Sequence, residues 1–281
     1  EKLVTYVEPT CGLITNVGRA HLQGFGSFEG VKKTKGELYD FLKAHDGLLF
    51  LNESNPDLTA MAEQREFERV ITYGQDETAD VQGYVVNCAP FLHFEWQSSS
   101  LNTHQPAPTI YDVQTHLIGS YNLDNMLAAI AIGLHFGVTP QQINNALESY
   151  IPHNNRSQLT ETAHNKLIVD AYNANPSSMA AAIDNFQLME VDNKMAILGD
   201  MRELGDASAV EHQKVVDLLK ATDIRNVWLV GEEFSKTQTA FRKFHDVEEV
   251  KAEIASHRPE DHYILIKGSN GIRLFELTDL L

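Results

Sequence analysis

Lys166–Met189, KLIVDAYNANPSSMAAAIDNFQLM, is the stretch from which the fold can be read. Leu167-Ile168-Val169 is a short apolar run of the kind that fills a buried strand. It stops at a polar cluster, Asp170, Tyr172, Asn173 and Asn175, and a helix then begins. Asn175 suits the N-cap, and Pro176 suits the first helical position, where a missing N–H costs nothing. Met179, Ala182, Ile183, Phe186 and Met189 recur on one face of that helix. Strand, polar loop and helix in this order put the loop at the carboxyl end of the strand, where open α/β sheets hold ligands. The same asparagines would also serve a plain turn, because Asn tolerates turn geometry.

The pattern repeats toward the C-terminus. Apolar runs at 195–198, 227–230 and 263–266 predict further strands. Helical periodicity predicts helices at about 177–189, 208–221, 235–244, 247–256 and 271–279. This is the sequence of a doubly wound, Rossmann-like α/β domain. The polar, proline-bearing segment 151–155 reads as a linker, so the expected domains are 1–152 and 153–281.

Toward the N-terminus, 13–17, 47–51 and 69–73 read as strands of a mainly parallel sheet with helices between them. From 81 to 119 the texture becomes an antiparallel β excursion, with strands at 84–86 and 92–96 and a polar loop at 98–108. Two helices follow, at 121–136 and 140–150.

The 281 residues suit two domains. Lys plus Arg number 22 and Asp plus Glu 39, a formal net charge of −17. That balance argues against a nucleic-acid backbone or an anionic membrane as principal partner, while leaving room for a nucleotide held by a few local groups. The two cysteines, Cys11 and Cys88, give no disulfide framework, so a reducing cytoplasm is expected. A monomer is also expected. The chain opens at Glu1 without methionine, and we expect a fragment of a longer protein.

Several polar residues fall where chemistry could sit. Asn16 and His21 follow the first predicted strand. In the next helix Phe28, Val31, Leu38 and Leu42 form an apolar stripe, and Lys35 fills its missing position. A lysine there must snorkel, be paired or be chemically altered. Asn122 and Asn125 share one face at a helix start, where Asn122 could simply be a cap. Arg156 follows the linker. Asp200 and Glu203 sit in Gly199-Asp-Met-Arg-Glu-Leu-Gly205 after a strand, and Lys267 ends the last strand. Each of these has a plain reading as a solvated turn or strand-end residue.

Taken together, the motifs resemble those of the Mur ligases, specifically the MurF type. Asp170-Ala-Tyr-Asn-Ala-Asn-Pro176 is similar to the signature opening their C-terminal domain. Thr15-Asn-Val-Gly-Arg-Ala-His-Leu-Gln-Gly-Phe-Gly-Ser27 followed by Lys33-Thr-Lys-Gly-Glu-Leu38 is similar to their central-domain motif. Gly119-Ser-Tyr-Asn-Leu-Asp-Asn125 resembles a nucleotide-contacting motif, with Tyr121 in place of the usual His. Asn155-Arg156 is a partial match, with Asn155 in place of a Gly. Gly199–Gly205 and Lys267-Gly-Ser269 match two further motifs. The matches run in order from about Asn16 to Ser269.

The resemblance implies a later part of a central ATP-binding domain followed by the C-terminal domain. It implies ATP and Mg²⁺ as cofactors, and UDP-N-acetylmuramoyl-tripeptide and D-alanyl-D-alanine as substrates. The reaction it implies is amide ligation through an acyl phosphate. Carried over residue by residue, His21 and a carbamylated Lys35 are the metal ligands and catalytic pair. Asn16, Asn122, Asn125, Arg156 and Asp170 face the nucleotide, and Tyr172, Asn173, Asn175 and Lys267 face substrate. Carbamylation needs a neutral amine, which burial and the positive charge of Lys32 and Lys33 would favour. No G-x-x-x-x-G-K-[ST] phosphate loop occurs in the sequence, so this chain alone is expected to be inactive. The alternatives are another Mur ligase, a folylpolyglutamate synthase-like ligase, or a non-catalytic binding protein built on a Mur ligase remnant.

Overall fold

The computed structural model describes residues 2–18, 27–88, 90–99, 109–152 and 158–281, with the side chains of Lys2 and Gln158 left aside. They divide into two units, one drawn mainly from residues 1–150 and the other mainly from Ile151–Leu281.

The first unit contains α1 (Lys2–Val7), β1 (Cys11–Leu13), α2 (Phe28–Ala44), β2 (Leu48–Asn52), α3 (Pro56–Glu63) and β3 (Val70–Gly74). These are followed by β4 (Val81–Cys88), β5 (Phe91–Ser98), β6 (Tyr111–Ile118), α4 (Asn122–His135) and α5 (Pro140–Ser149). The six strands pair in chain order. β1 to β4 are parallel, and β4 and β5 are antiparallel with a register shift between Val85 and Asn87. β2, Leu-Leu-Phe-Leu-Asn, is buried along its whole length, as a central parallel strand must be. In β6, Val113, Thr115 and Leu117 are buried while Asp112, Gln114 and His116 are exposed, the period-2 alternation of a strand with one wet face. Phe50, Tyr73, Phe94, Trp96 and Leu127 meet in the core.

Two expectations for this unit are corrected. The first strand covers only Cys11–Leu13, and Ile14–Gly18 continue without ladder pairing, although Ile14 and Val17 remain buried. The buried face of α2 runs through Val31, Gly36, Tyr39 and Leu42. Tyr39, not Leu38, supplies its middle, and this turns Lys35 to the edge of the face, where it is exposed.

The second unit contains β7 (Gln158–Glu161), β8 (Lys166–Asp170), α6 (Pro176–Leu188), β9 (Lys194–Gly199), α7 (Ser208–Lys220) and β10 (Asn226–Val230). Then come α8 (Glu232–Ser235), β11 (Arg242–Phe244), α9 (Val247–Ser256) and β12 (Tyr263–Lys267). The strand order is β11-β10-β9-β12-β8-β7, parallel except for the antiparallel pair β7–β8. The chain thus steps away from β8 and returns to insert β12 between β8 and β9. That reversal makes the carboxyl ends of these three strands the natural ligand edge. Leu167, Val169, Met195, Ile197, Ile264 and Ile266 lie in one core cluster.

Here too the structure differs from the periodicity at two places. The helix expected at 235–244 is only α8, and Arg242–Phe244 instead form β11 beside β10. Trp228 holds that edge, with the Phe244 ring centroid at 5.1 Å and the Arg242 guanidinium over its indole at 5.7 Å. The helix expected at 271–279 is two 3₁₀ turns, Asn270–Ile272 and Leu274–Leu277, divided by Arg273 at φ 64°. A left-handed residue cannot continue an α-helix.

Candidate functional site

In the second unit the site is built on the parallel register that pairs Lys267 with Asp170 at the ends of β12 and β8. Paired residues of neighbouring strands project to the same face, so the ammonium meets the carboxylate. Lys267 Nζ lies 2.5 Å from Asp170 Oδ2 and also donates to the Asn173 carbonyl at 3.3 Å. Lys267 is 1% exposed. A buried ammonium without a counter-charge would be prohibitive, so Asp170 is what allows Lys267 to be buried here. Beyond it the chain buries Ala171 and Ala174 and leaves Tyr172 and Asn173 exposed. Asn175 is the N-cap of α6. Its side-chain oxygen accepts from the Ser178 N–H at 2.9 Å, while the Ser178 hydroxyl accepts from the Asn175 N–H at 3.1 Å. That oxygen is therefore committed to the helix.

The loop after β9 is knitted to the loop after β12. The Ser269 N–H donates to the Asp200 carbonyl at 3.1 Å, and the Arg202 N–H to Ser269 Oγ at 2.9 Å. Asp200 is buried, not a solvated turn residue. Its two oxygens accept the N–H groups of Glu233 and Phe234, both at 2.9 Å, at the start of α8. Gly231, at φ 124°, passes directly over that carboxylate, and a Cβ there would sit 2.3 Å from it. His212, fully buried, accepts the Met201 N–H at Nε2, which puts its proton on Nδ1 facing the Ser208 carbonyl at 2.7 Å. It orients the loop through that contact with the Met201 N–H. A cleft of about 940 Å³ opens beside this loop, with Arg202, Glu203, Glu233, His245, Asp246 and Arg273 in its wall. Tyr172, Asn173, Asn175 and Lys267 are not among the residues that line it.

In the first unit, Lys35 turns its amine back from α2 and donates to the Asn16 carbonyl at 2.7 Å. The residue is exposed, yet that end of it is partly desolvated, and this lowers its pKa. A lowered pKa enlarges the neutral-amine fraction at a given pH, as carbamylation requires. The expected help from neighbouring charge is absent: burial alone is the cause, and Lys32 is neutralised by Asp57 at 2.6 Å and Glu29 at 3.4 Å. His21 lies outside the described residues, as does Arg156. Among the described residues there is no group of three His, Cys, Asp or Glu arranged for a metal. The described residues therefore include one member of the expected metal pair, and its chemistry suits a carbamate.

Asn122 is not the cap of α4. The cap position is Tyr121, and Asn122, buried in the first turn, accepts from Asn125 Nδ2 at 3.1 Å. Between them Asp124 accepts from the buried Asn52 at 3.0 Å, which ties the start of α4 to the end of β2. Burial, with the Asp124 charge as a second cause, raises the pKa of the neighbouring Tyr73 phenol, so it stays protonated there.

The structure thus brings together Asp170, Asn173 and Lys267 in one unit, and Asn16 with Lys35, and Asn122 with Asn125, in the other. Sequence reasoning missed Asn52, Asp124, His212 and Gly231. An apolar run ending in Asn52 was the one available signal. His212 and Gly231 carried none, because their roles depend on partners 11 and 31 residues away.

Comparison with known proteins agrees with this architecture. The Mur ligase middle domain matches residues 1–133, and the Mur ligase glutamate ligase domain matches residues 155–270. The UDP-N-acetylmuramoyl-tripeptide--D-alanyl-D-alanine ligase of Mycobacterium bovis is 31% identical over 236 residues, covering 82% of this chain and 45% of the relative. The crystal structure of MurF from Acinetobacter baumannii superposes with a TM-score of 0.80 at 25% identity, over 98% of this chain and 60% of that one. MurF ligase from Thermotoga maritima, solved with ADP, has the same fold at a TM-score of 0.82 and 21% identity, over 99% and 62% of the two chains. The chain spans about half the length of the curated relatives it matches. Two Mur ligase domains in tandem, with relatives and folds of one kind along nearly all of the chain, mean that it belongs to the Mur ligase family, and within that family its likeness is to the MurF type.

Proposed function

We propose that this chain carries the nucleotide-facing and dipeptide-facing elements of an ATP-dependent ligase that adds D-alanyl-D-alanine to UDP-N-acetylmuramoyl-tripeptide in peptidoglycan synthesis. The observation that carries the reading is the exposed pair Tyr172–Asn173 on the loop held by Asp170 and Lys267, in a chain whose relatives are named for that reaction. The border between its two domains is placed at 152/153. We set the reaction in the cytoplasm and in a monomer.

In this reading the tripeptide carboxylate takes a phosphoryl group from ATP, and the dipeptide amine attacks the acyl phosphate. The amide C–N bond forms, the C–O bond to phosphate breaks, and the amine loses a proton. Such chemistry depends mainly on positioning and on neutralising phosphate charge. Asn122 and Asn125 present amides to the nucleotide, with Asn16, Arg156 and Asp170 as further contacts. Mg²⁺, when bound, would neutralise phosphate charge, and carbamylated Lys35 and His21 would hold it. Asn173 gives its side-chain amide to the dipeptide, and Tyr172 closes over it. Asn175 serves the dipeptide by starting α6, whose N-terminal turn favours a carboxylate. The sequence contains no P-loop motif, so the chain by itself is not a complete ligase.

The test is a kinetic split in the ligase that carries these residues. Asn173→Ala is expected to raise the KM for D-alanyl-D-alanine about 10- to 100-fold, since a hydrogen bond to a charged group contributes about 1.5–3 kcal/mol. The KM for ATP should move less than twofold. An unchanged dipeptide KM would return Asn173 to turn formation.

A further inference from the structure

Among the described residues, Lys267 is buried more deeply than the charged side chains of Asp200 and Glu211, and direct substrate contact does not explain its place. Its ammonium is spent inside the protein, on Asp170 at 2.5 Å and on the Asn173 carbonyl at 3.3 Å. Those two acceptors bracket Tyr172, so one cation grips both ends of the short exposed turn. The anchor is rigid, because β12 is paired on both sides, Lys267 standing opposite Asp170 on β8 and Leu198 on β9. On its other side the loop is fixed by the Asn175 cap of α6. Between these fixed points Ala171 and Ala174 are buried, and only Tyr172 and Asn173 are presented outward.

We propose that Lys267 is a positioning residue whose buried ammonium holds the 170–173 turn in the form that receives the dipeptide, rather than a ligand of the substrate carboxylate. The dipeptide half of this statement rests on the function proposed above, whereas the ordering of the turn stands on the geometry alone. Removing the ammonium frees the Asn173 carbonyl and leaves Asp170 uncompensated, so the turn loses both tethers at once. The nucleotide-facing asparagines of the first unit have no part in it.

The experiment compares the 281-residue chain with Lys267→Met and with the charge-neutral pair Asp170→Asn/Lys267→Met, which keeps the protein foldable if the single change does not. Backbone ¹⁵N relaxation without ligand should show order parameters at residues 171–173 falling from about 0.85 to below about 0.6 in both variants, while β12 and α6 keep theirs. Calorimetric titration should show the Kd for D-alanyl-D-alanine rising about tenfold in both variants, with the Kd for ADP unchanged within twofold in Lys267→Met, which keeps Asp170. A turn as ordered as in the parent overturns the positioning role. A weakened dipeptide affinity with an unaltered turn also overturns it, because Lys267 would then touch the ligand itself. If the parent chain binds no dipeptide, the proposed function fails there, and the relaxation data still decide the role of Lys267.

Discussion

Gly231→Ala is expected to destabilise the second unit by about 4 kcal/mol or more. Gly231 sits at φ 124° and ψ 169°, a region essentially closed to residues with a Cβ, and that strain alone costs about 1–3 kcal/mol. The new methyl group would also meet the Asp200 carboxylate at 2.3 Å. Pushing the carboxylate aside leaves the Glu233 and Phe234 N–H groups without their acceptor, at about 1–3 kcal/mol each if they stay buried. Gly205→Ala, in the same unit, is the control. It has positive φ, at 53°, with nothing within 4 Å of its Cβ position, and should cost only about 1–2 kcal/mol. Each unit contains one of the two tryptophans, Trp96 and Trp228, so urea denaturation of a Trp96→Phe background reads the second unit alone. A loss below about 1 kcal/mol for Gly231→Ala would mean that Asp200 does not hold α8 as described.

The largest effect on activity is expected at Lys35. In the ligase that carries these residues, Lys35→Ala should lower turnover by about 10²- to 10³-fold or more, the scale on which lost charge stabilisation is felt. Stability should change little, because the residue is exposed and gives up one hydrogen bond, to the Asn16 carbonyl. A short carboxylic acid should restore part of the rate by standing in for the carbamate. The depressed pKa of the amine adds a signature: under ¹³CO₂ the carbamate should form at Lys35 at a lower pH than on a lysine side chain in a short peptide. Full activity of the alanine variant would leave Lys35 as a snorkelling side chain at a helix edge.

Much of this was legible in the residues and some could not be. β8, its polar loop and α6 follow from Leu167-Ile168-Val169 and the Asn175-Pro176 start, signals that act over a few residues. The pairing of Lys267 with Asp170 was hidden, because a parallel register joins residues 97 positions apart and leaves no local mark. Each looked like an independent ligand. Periodicity places the stripe on α2 one residue out, at Leu38, because the phenol of Tyr39 fills the buried face as a large side chain, and Lys35 then falls inside instead of at the edge. At 242–244 a helical pattern lost to sheet pairing against Trp228, a tertiary preference that overrides local periodicity.

If the turn after β8 receives D-alanyl-D-alanine as proposed, ¹⁵N-edited NMR titration of the 281-residue chain with the dipeptide should give saturable shifts centred on the Tyr172 and Asn173 amides, absent with L-alanyl-L-alanine. Shifts confined to the cleft around Arg202 and His245, or the same response to both stereoisomers, would contradict it.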